Sequence, residues 1–184
     1  MIWIILVIVV IAVLYAIMTY NKLVTGKNNT LAAESQIDVT LKQRNDLIPN
    51  LVSTVKGYAK HEQETLTQVT QLRQKAVELQ DSDDLAAKDQ VNAQLTQATQ
   101  QLVAVAEAYP DLKANTQFSQ LMENLTDLEN KISYARQVYN SSAARFNTEI
   151  EQFPANLLVG LFKFTPFALL VTPEAEKAVP KVEF

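Results

Sequence analysis

Three glycines and six prolines in 184 residues, unevenly placed, restrict this chain more than any other feature. No glycine stands between Gly57 and Gly160, and no proline between Pro49 and Pro110 or between Pro110 and Pro154. Sheets need frequent turns built from Gly, Pro, Asn and Asp, whereas long helices need interiors free of Gly and Pro. The pattern predicts an all-α protein and leaves no glycine-rich loop to cradle a nucleotide. The absence of cysteine removes disulfides, thiolate metal sites and thiol nucleophiles. A net charge of −4 offers neither a broad basic patch for nucleic acid nor an acidic tail.

Residues 2–20, "IWIILVIVVIAVLYAIMTY", carry no charge. At 1.5 Å per residue such a helix is roughly 28 Å long, close to the ~30 Å hydrocarbon core of a bilayer. Trp3 lies near one end and Tyr15 and Tyr20 near the other, where amphipathic rings favour the interface. A cleaved signal peptide is the alternative. It would need a basic residue ahead of the apolar run and a small-residue cleavage site behind it, and neither is present. The expectation is an uncleaved single-pass anchor. Lys22, Lys27, Lys42 and Arg44 follow it and no Lys or Arg precedes it, so the positive-inside rule puts the N-terminus outside and the rest in the cytoplasm.

From Asn28 the pattern is helical. Ile37, Leu41, Ile48, Val52, Val55, Ala59, Leu66, Val69, Ala76 and Leu79 share one broad face. Pro49 interrupts this ladder and predicts a kink or break there. "DSDD", residues 81–84, supplies a turn whose side chains suit helix capping. A second helix is expected from about Asp83 to Ala108, with Val91, Leu95, Ala98, Leu102 and Val105 inward and Gln94, Thr96, Gln97, Thr99 and Gln100 solvated. "YPDLKAN" then makes a turn around Pro110. In the last long helix Phe118, Leu121, Leu125, Leu128, Ile132, Ala135, Tyr139, Ser142 and Phe146 step alternately by 3 and 4. This heptad seam packs at about 20° against antiparallel neighbours. The expected architecture is an N-terminal transmembrane helix followed by an antiparallel up-and-down bundle of long helices; a free coiled-coil dimer of the last helix is the alternative.

"FPANLLVGLFKFTPFALLV", residues 153–171, is apolar but holds Pro154, Pro166, Gly160 and Lys163, which argue against a second membrane span. It either folds back over the bundle or lies in the membrane interface, with Leu161 and Phe162 joining Trp3 and Tyr20 as interfacial residues. The expected divisions are an anchor at 1–20, a bundle at 21–152, this segment at 153–171 and a loose tail at 172–184.

Chemistry is sparsely provided. His61-Glu62 opens like the zinc motif H-E-x-x-H, but the position of the second histidine is Thr65, and His61 is the chain's only histidine. No triad, P-loop or dinucleotide fingerprint is legible, so neither metal, cofactor, catalytic residue nor small-molecule substrate is expected. The polar residues on apolar helices are more informative. Arg136, Asn140 and Asn147 share a stripe beside the seam near Tyr139, and Arg44, Asp46 and Asn50 are candidate partners. They form either an internal network fixing bundle register or a surface for another protein.

"YNKLV" after the anchor, "SQIDVTLKQRNDLIPNLVSTVKGYAKHE" from Ser35, "ISYARQVYN" and "FNTEIEQFPANLL" together resemble the LemA family, from Tyr20 to about Phe164. The chain departs from that pattern at "LVTGKNN", where the family has a Leu-Arg pair near Thr25 to Lys27. The resemblance implies a bacterial membrane protein with a tiny external N-terminus and a helical bundle, for which no enzymatic activity is established. The family includes a magnetosome-membrane protein, and some members are encoded near a membrane metalloprotease. Carried over, its motif residues are Asn21, Gln36, Asp38, Arg44, Asp46, Pro49, Asn50, Lys56, Gly57, His61, Glu62, Arg136, Tyr139, Asn140, Asn147 and Pro154. The leading expectation is a membrane-anchored scaffold or adaptor that meets the bilayer through residues 2–20 and protein partners, or further copies of itself, through the bundle. The alternative is a membrane-shaping protein whose C-terminal apolar segment enters one leaflet; a hydrolase or metalloenzyme ranks third.

Overall fold

The computed structural model describes residues 1–59, 62–82 and 84–170. His61, Asp83 and the tail at 172–184 lie outside them. Among the described residues there are six helices and no strand: α1 (Ile2–Tyr58), α2 (Gln63–Glu78), α3 (Leu85–Glu107), α4 (Pro110–Lys113), α5 (Thr116–Glu151) and α6 (Ala155–Phe162). The described residues fall into two compact units, Met1–Gln36 with Ala135–Leu169, and Ile37–Tyr134 with Leu170.

In the second unit the side-chain contacts give the helix directions. Asp38 and Arg44 of α1 meet Lys88 and then Asn92 and Thr96 of α3, so these two helices run the same way. Arg44 meets Glu129 of α5, and Tyr58, later in α1, accepts from Asn115, just before α5, so α5 runs the opposite way. Arg73 of α2 reaches back to Asn45 in the same sense. The result is up, down, up, down, the expected helical bundle. Its core holds Ile48, Leu51, Val55, Leu66, Val69, Leu95, Leu102, Leu112, Phe118 and Leu125. Each such side chain stabilises the fold by about 1.5–3 kcal/mol relative to exposure.

Two expectations about the helices need correction. The chain does not break at Pro49: α1 runs through it and ends at Tyr58. Proline has no N–H to give the carbonyl of Asn45, one turn back. Arg73 Nε donates to that carbonyl instead, at 2.8 Å, so α2 supplies the hydrogen bond that the proline removed. The interruption comes after Gly57 and Tyr58, where glycine weakens the helix by about 1 kcal/mol relative to alanine. Asp84 caps α3, its carboxylate accepting from the N–H of Ala87 at 2.9 Å. The seam of α5 also drifts: Ala143 is fully buried while Ser142 is half-exposed. An α-helix slips about 20° per heptad against a strict seven-residue repeat, so the buried edge moves one residue on.

The first unit joins the start of α1, the end of α5 and α6. Gly26 sits where a Cβ would lie 3.1 Å from Cδ2 of Phe146, so the missing side chain lets α1 approach the Phe146 ring closely. Leu23, Phe146 and Ile150 form a small core, with Ala155, Val159, Phe164 and Phe167 packed on it. Lys22 and Arg145 both pair with Glu149, at 3.2 and 3.3 Å. Lys163 ends α6 in the left-handed conformation, φ 54°, unusual for a residue with a Cβ, and this turns the chain toward α5.

The contact between Arg73 and Asn45 makes a testable pair. Arg73→Ala leaves a carbonyl without its partner and should cost about 1–3 kcal/mol. In a Pro49→Ala background the new N–H takes over that carbonyl, and Arg73→Ala should cost distinctly less. A double-mutant cycle on thermal unfolding of the detergent-solubilised chain, followed by circular dichroism, measures the difference.

Candidate functional site

The buried stripe of α3 explains where the polar residues go. Lys88, Asn92, Leu95, Thr99, Leu102 and Ala106 are all buried and step by 4, 3, 4, 3 and 4. Thr99 and Thr96 are therefore not part of a solvated face as expected: Thr99 is buried and Thr96 half-buried, whereas Gln94, Gln97 and Gln100 are exposed. On α1 the matching stripe includes Thr40, Arg44 and Ile48. Two polar stripes thus face each other inside the second unit.

At their meeting point lies Arg44, 0% exposed. Its Nη1 donates to Thr96 Oγ1 at 2.8 Å and to Glu129 Oε1 at 3.2 Å, and its Nη2 donates to Asn92 Oδ1. Thr96 donates in turn to the second oxygen of Glu129, at 3.2 Å, and Asn92 Nδ2 donates to the Lys88 carbonyl at 2.8 Å. One turn earlier Lys88 pairs with Asp38 at 3.6 Å. A buried guanidinium is strongly unfavourable unless charge and hydrogen bonds surround it, and α3 and α5 supply them.

The other sequence-predicted residues divide between the units. Asp46 and Asn50 are exposed on α1 in the second unit. Asn50 lines an open groove of about 390 Å³ with Ser53, Thr54, Gln117, Gln120, Leu121 and Asn124. Lys56 lines a second cleft with Val52, Ala59, Gln63, Leu66, Thr67 and Thr70. Arg136, Tyr139, Asn140 and Asn147 belong to the first unit; Tyr139 is buried and the other three are half-buried. Asn147 was expected to find its partners on α1. Its amide instead exchanges two hydrogen bonds of 2.8 Å with the backbone of Phe167, one in each direction. Tyr139 Oη donates to the Ala168 carbonyl at 2.8 Å. These two side chains hold the stretch after α6 along α5.

Burial, and then the Glu34 carboxylate, push the Tyr139 phenol above the usual tyrosine range. A raised folded-state value favours the neutral phenol. The stability it brings is complete below the unfolded value near pH 10 and is lost as pH rises through the higher folded value. Tyr109 is shifted the same way by desolvation and by its hydrogen bond to Glu62.

Among the interfacial candidates, Trp3, Tyr20, Leu161 and Phe162 are all exposed. The Tyr20 and Phe162 rings lie 4.6 Å apart, and Phe146 meets Phe164 and Phe167 edge-on at 6.1 and 5.4 Å. Sequence reasoning missed Asn92, Thr96, Glu129 and Lys88. Only for Glu129 was a local signal of burial in view, since it stands four residues after Leu125 and three before Ile132, beside the α5 seam.

An apolar helical stretch long enough to cross a bilayer, joined without a break to the first helix of a helical bundle, fits a membrane-anchored protein. The LemA family profile matches residues 33–184, and the chain belongs to the LemA family. Magnetosome protein MamQ 2 of Paramagnetospirillum magneticum is 26% identical over 171 residues, 80% of this chain and 63% of that relative. Protein LemA of Metamycoplasma hominis is 27% identical over 157 residues, 85% of this chain and 71% of the relative. MamQ of Magnetospirillum gryphiswaldense is 25% identical, again with 63% of its length covered. The chain thus spans less than two thirds of the length of its magnetosome relatives.

Two outcomes are expected. Glu129→Ala should destabilise more than Arg44→Met, by about 3 kcal/mol against the parent, because it leaves a buried cation uncompensated. Arg44→Met leaves a carboxylate that is 28% exposed and open to hydration. Urea titration of the solubilised chain ranks the two, and the reverse order would show that the carboxylate, not the guanidinium, is the costlier group to strand. Tyr139→Phe should cost about 1 kcal/mol at neutral pH through its lost hydrogen bond, yet lose less stability than the parent between neutral and strongly alkaline pH. Melting temperatures across that range test this, and parallel curves would contradict it.

Proposed function

We propose that this chain is a membrane-anchored, non-enzymatic scaffold or adaptor of the LemA kind, holding a helical bundle at the bacterial inner membrane for protein partners. Residues 2–20 cross the bilayer once, with the N-terminus outside and the bundle in the cytoplasm. The charge order supports this sidedness, because Lys22 and Lys27 directly follow the span.

The observation that carries the reading is the groove of Asn50, Ser53 and Thr54 on α1 with Gln117, Gln120, Leu121 and Asn124 on α5. Its lining consists of neutral donors and acceptors and one leucine. Such a surface matches the amide and hydroxyl groups of another polypeptide, with water filling the gaps, better than it matches a charged metabolite or a phosphate backbone. Asn50 and its exposed neighbour Asp46 are then docking residues, while Arg44 supports the fold beneath them. The magnetosome names of two relatives point to membrane organisation as the setting, and envelope quality control is the other candidate.

A photo-cross-linking residue at Ser53 or Gln120 in living cells should give discrete adducts with other proteins or with a second copy. The same residue at Gln97, exposed on α3, should give none. Monomer alone from both groove positions would overturn the scaffold reading. Sidedness is tested separately by Gln97→Cys in the cysteine-free chain. A membrane-impermeant maleimide should label it only after spheroplasts are lysed, and labelling of intact spheroplasts would move the bundle outside.

A further inference from the structure

α6 has an apolar face on both sides. Its sequence, ANLLVGLF, holds one polar side chain, Asn156. Ala155 and Val159, one turn apart, pack on the core of Leu23, Phe146 and Ile150. Leu157 and Leu161, also one turn apart, lie two residues on from each of these, on the opposite face, and are 68% and 72% exposed. Phe153 is 79% exposed just ahead of the helix. A helix that is apolar all round is found in cores or in membranes, and only half of this one has a core.

Its place in the fold indicates what covers the other half. The Phe162 ring at its C-terminal end meets Tyr20 at a tilt of 52° with centroids 4.6 Å apart, and Tyr20 is the last residue of the apolar run that begins at Ile2. The outward leucines therefore sit beside the boundary between the apolar run and the charged sequence that starts at Lys22. At the helix end Lys163 is exposed, next to Phe162. Apolar side chains in the acyl region with a lysine reaching the phosphates is the arrangement of an interfacial helix.

We propose that α6 is a second membrane contact, a monotopic helix lying in the leaflet that holds the Tyr20 end of the span, with Phe153, Leu157 and Leu161 among the acyl chains and Lys163 at the headgroups. The proposal rests on the reading of residues 2–20 as a bilayer span. The bilayer is then gripped twice, once across its thickness and once along its surface. The contact is to lipid, since α6 meets the exposed Tyr20 end of the span through Phe162, itself exposed. Anionic headgroups strengthen it through Lys163.

The test uses the full-length chain reconstituted into phosphatidylcholine–phosphatidylglycerol vesicles. Three single-cysteine variants, Leu161→Cys, Ile8→Cys and Gln97→Cys, each carry an environment-sensitive nitrobenzoxadiazole label. The expected result is blue-shifted emission at positions 161 and 8. Position 161 should be quenched most by a lipid spin label near the headgroup, position 8 by one deep in the chain, and position 97 only by aqueous iodide. If position 161 behaves like position 97 while position 8 is quenched by lipid, the span stands and the proposal fails. If position 8 is itself not quenched by lipid, the span reading fails and the proposal with it. Shielding of position 161 from both lipid and iodide, with disulfide formation between unlabelled Leu161→Cys copies, would show that a second chain covers the face, and this also overturns it.

Discussion

A guanidinium with no exposure to solvent sets the terms for the second unit. Arg44 must have charge and hydrogen bonds around it, and it draws Asn92 and Thr96 from α3 and Glu129 from α5. Sliding either helix by one turn would move these groups by about 5.4 Å and strand the cation. Leucines and valines elsewhere in the core tolerate such slips far better, because the hydrophobic effect has no direction. Apolar burial drives the bundle together and the polar layer chooses among its registers. The Lys88–Asp38 pair one turn away repeats the constraint on α1 and α3.

Much of this was legible in the sequence, and the parts that were not have a common cause. Helix content followed from the placement of Gly and Pro, and the α5 seam from its 3–4 steps. Hydrophobic periodicity counts only apolar members of a stripe, so it assigned Val91 and Val105 to the core of α3 and overlooked Lys88, Asn92 and Thr99, which are more deeply buried. Arg44 stood out because a motif surrounded it. Its partners were spread over two other helices, 48 to 85 residues away, where no local pattern connects them. Pro49 misled for a similar reason. The penalty of a proline inside a helix is a lost hydrogen bond, and the donor that replaces it lies on α2, 28 residues from Asn45.

In the first unit the same economy uses backbone rather than charge. Tyr139 and Asn147 look like site residues in the sequence, yet their polar atoms meet main-chain groups of Phe167 and Ala168. The irregular segment after α6 has no neighbouring strand to satisfy its N–H and C=O groups, and these side chains take that role. The rings of Phe164 and Phe167 then close on Phe146, beside the Gly26 position that keeps α1 near. Fold-back of this segment was one of two alternatives open at the level of sequence. The other, an interfacial position, concerns the outward face of α6, which the packing of Ala155 and Val159 leaves untouched.

The most prominent polar residues of the motif thus divide by what surrounds them. Arg44, Tyr139 and Asn147 are spent on internal partners, so their chemistry cannot also be offered to a substrate or a second protein without opening the fold. Asp46 and Asn50 remain outward, next to a groove whose other polar groups are hydroxyls and amides. Recognition through neutral hydrogen-bonding groups has little long-range attraction, so its association rate gains little from electrostatic steering and depends only weakly on salt. For a docking face of the kind proposed, confinement to a membrane would compensate, because a partner held in the same bilayer would meet the groove at a high effective concentration however weak the single contact. Under the scaffold reading proposed above, the anchor and the groove would act together: the bilayer would supply the encounter and the groove the choice.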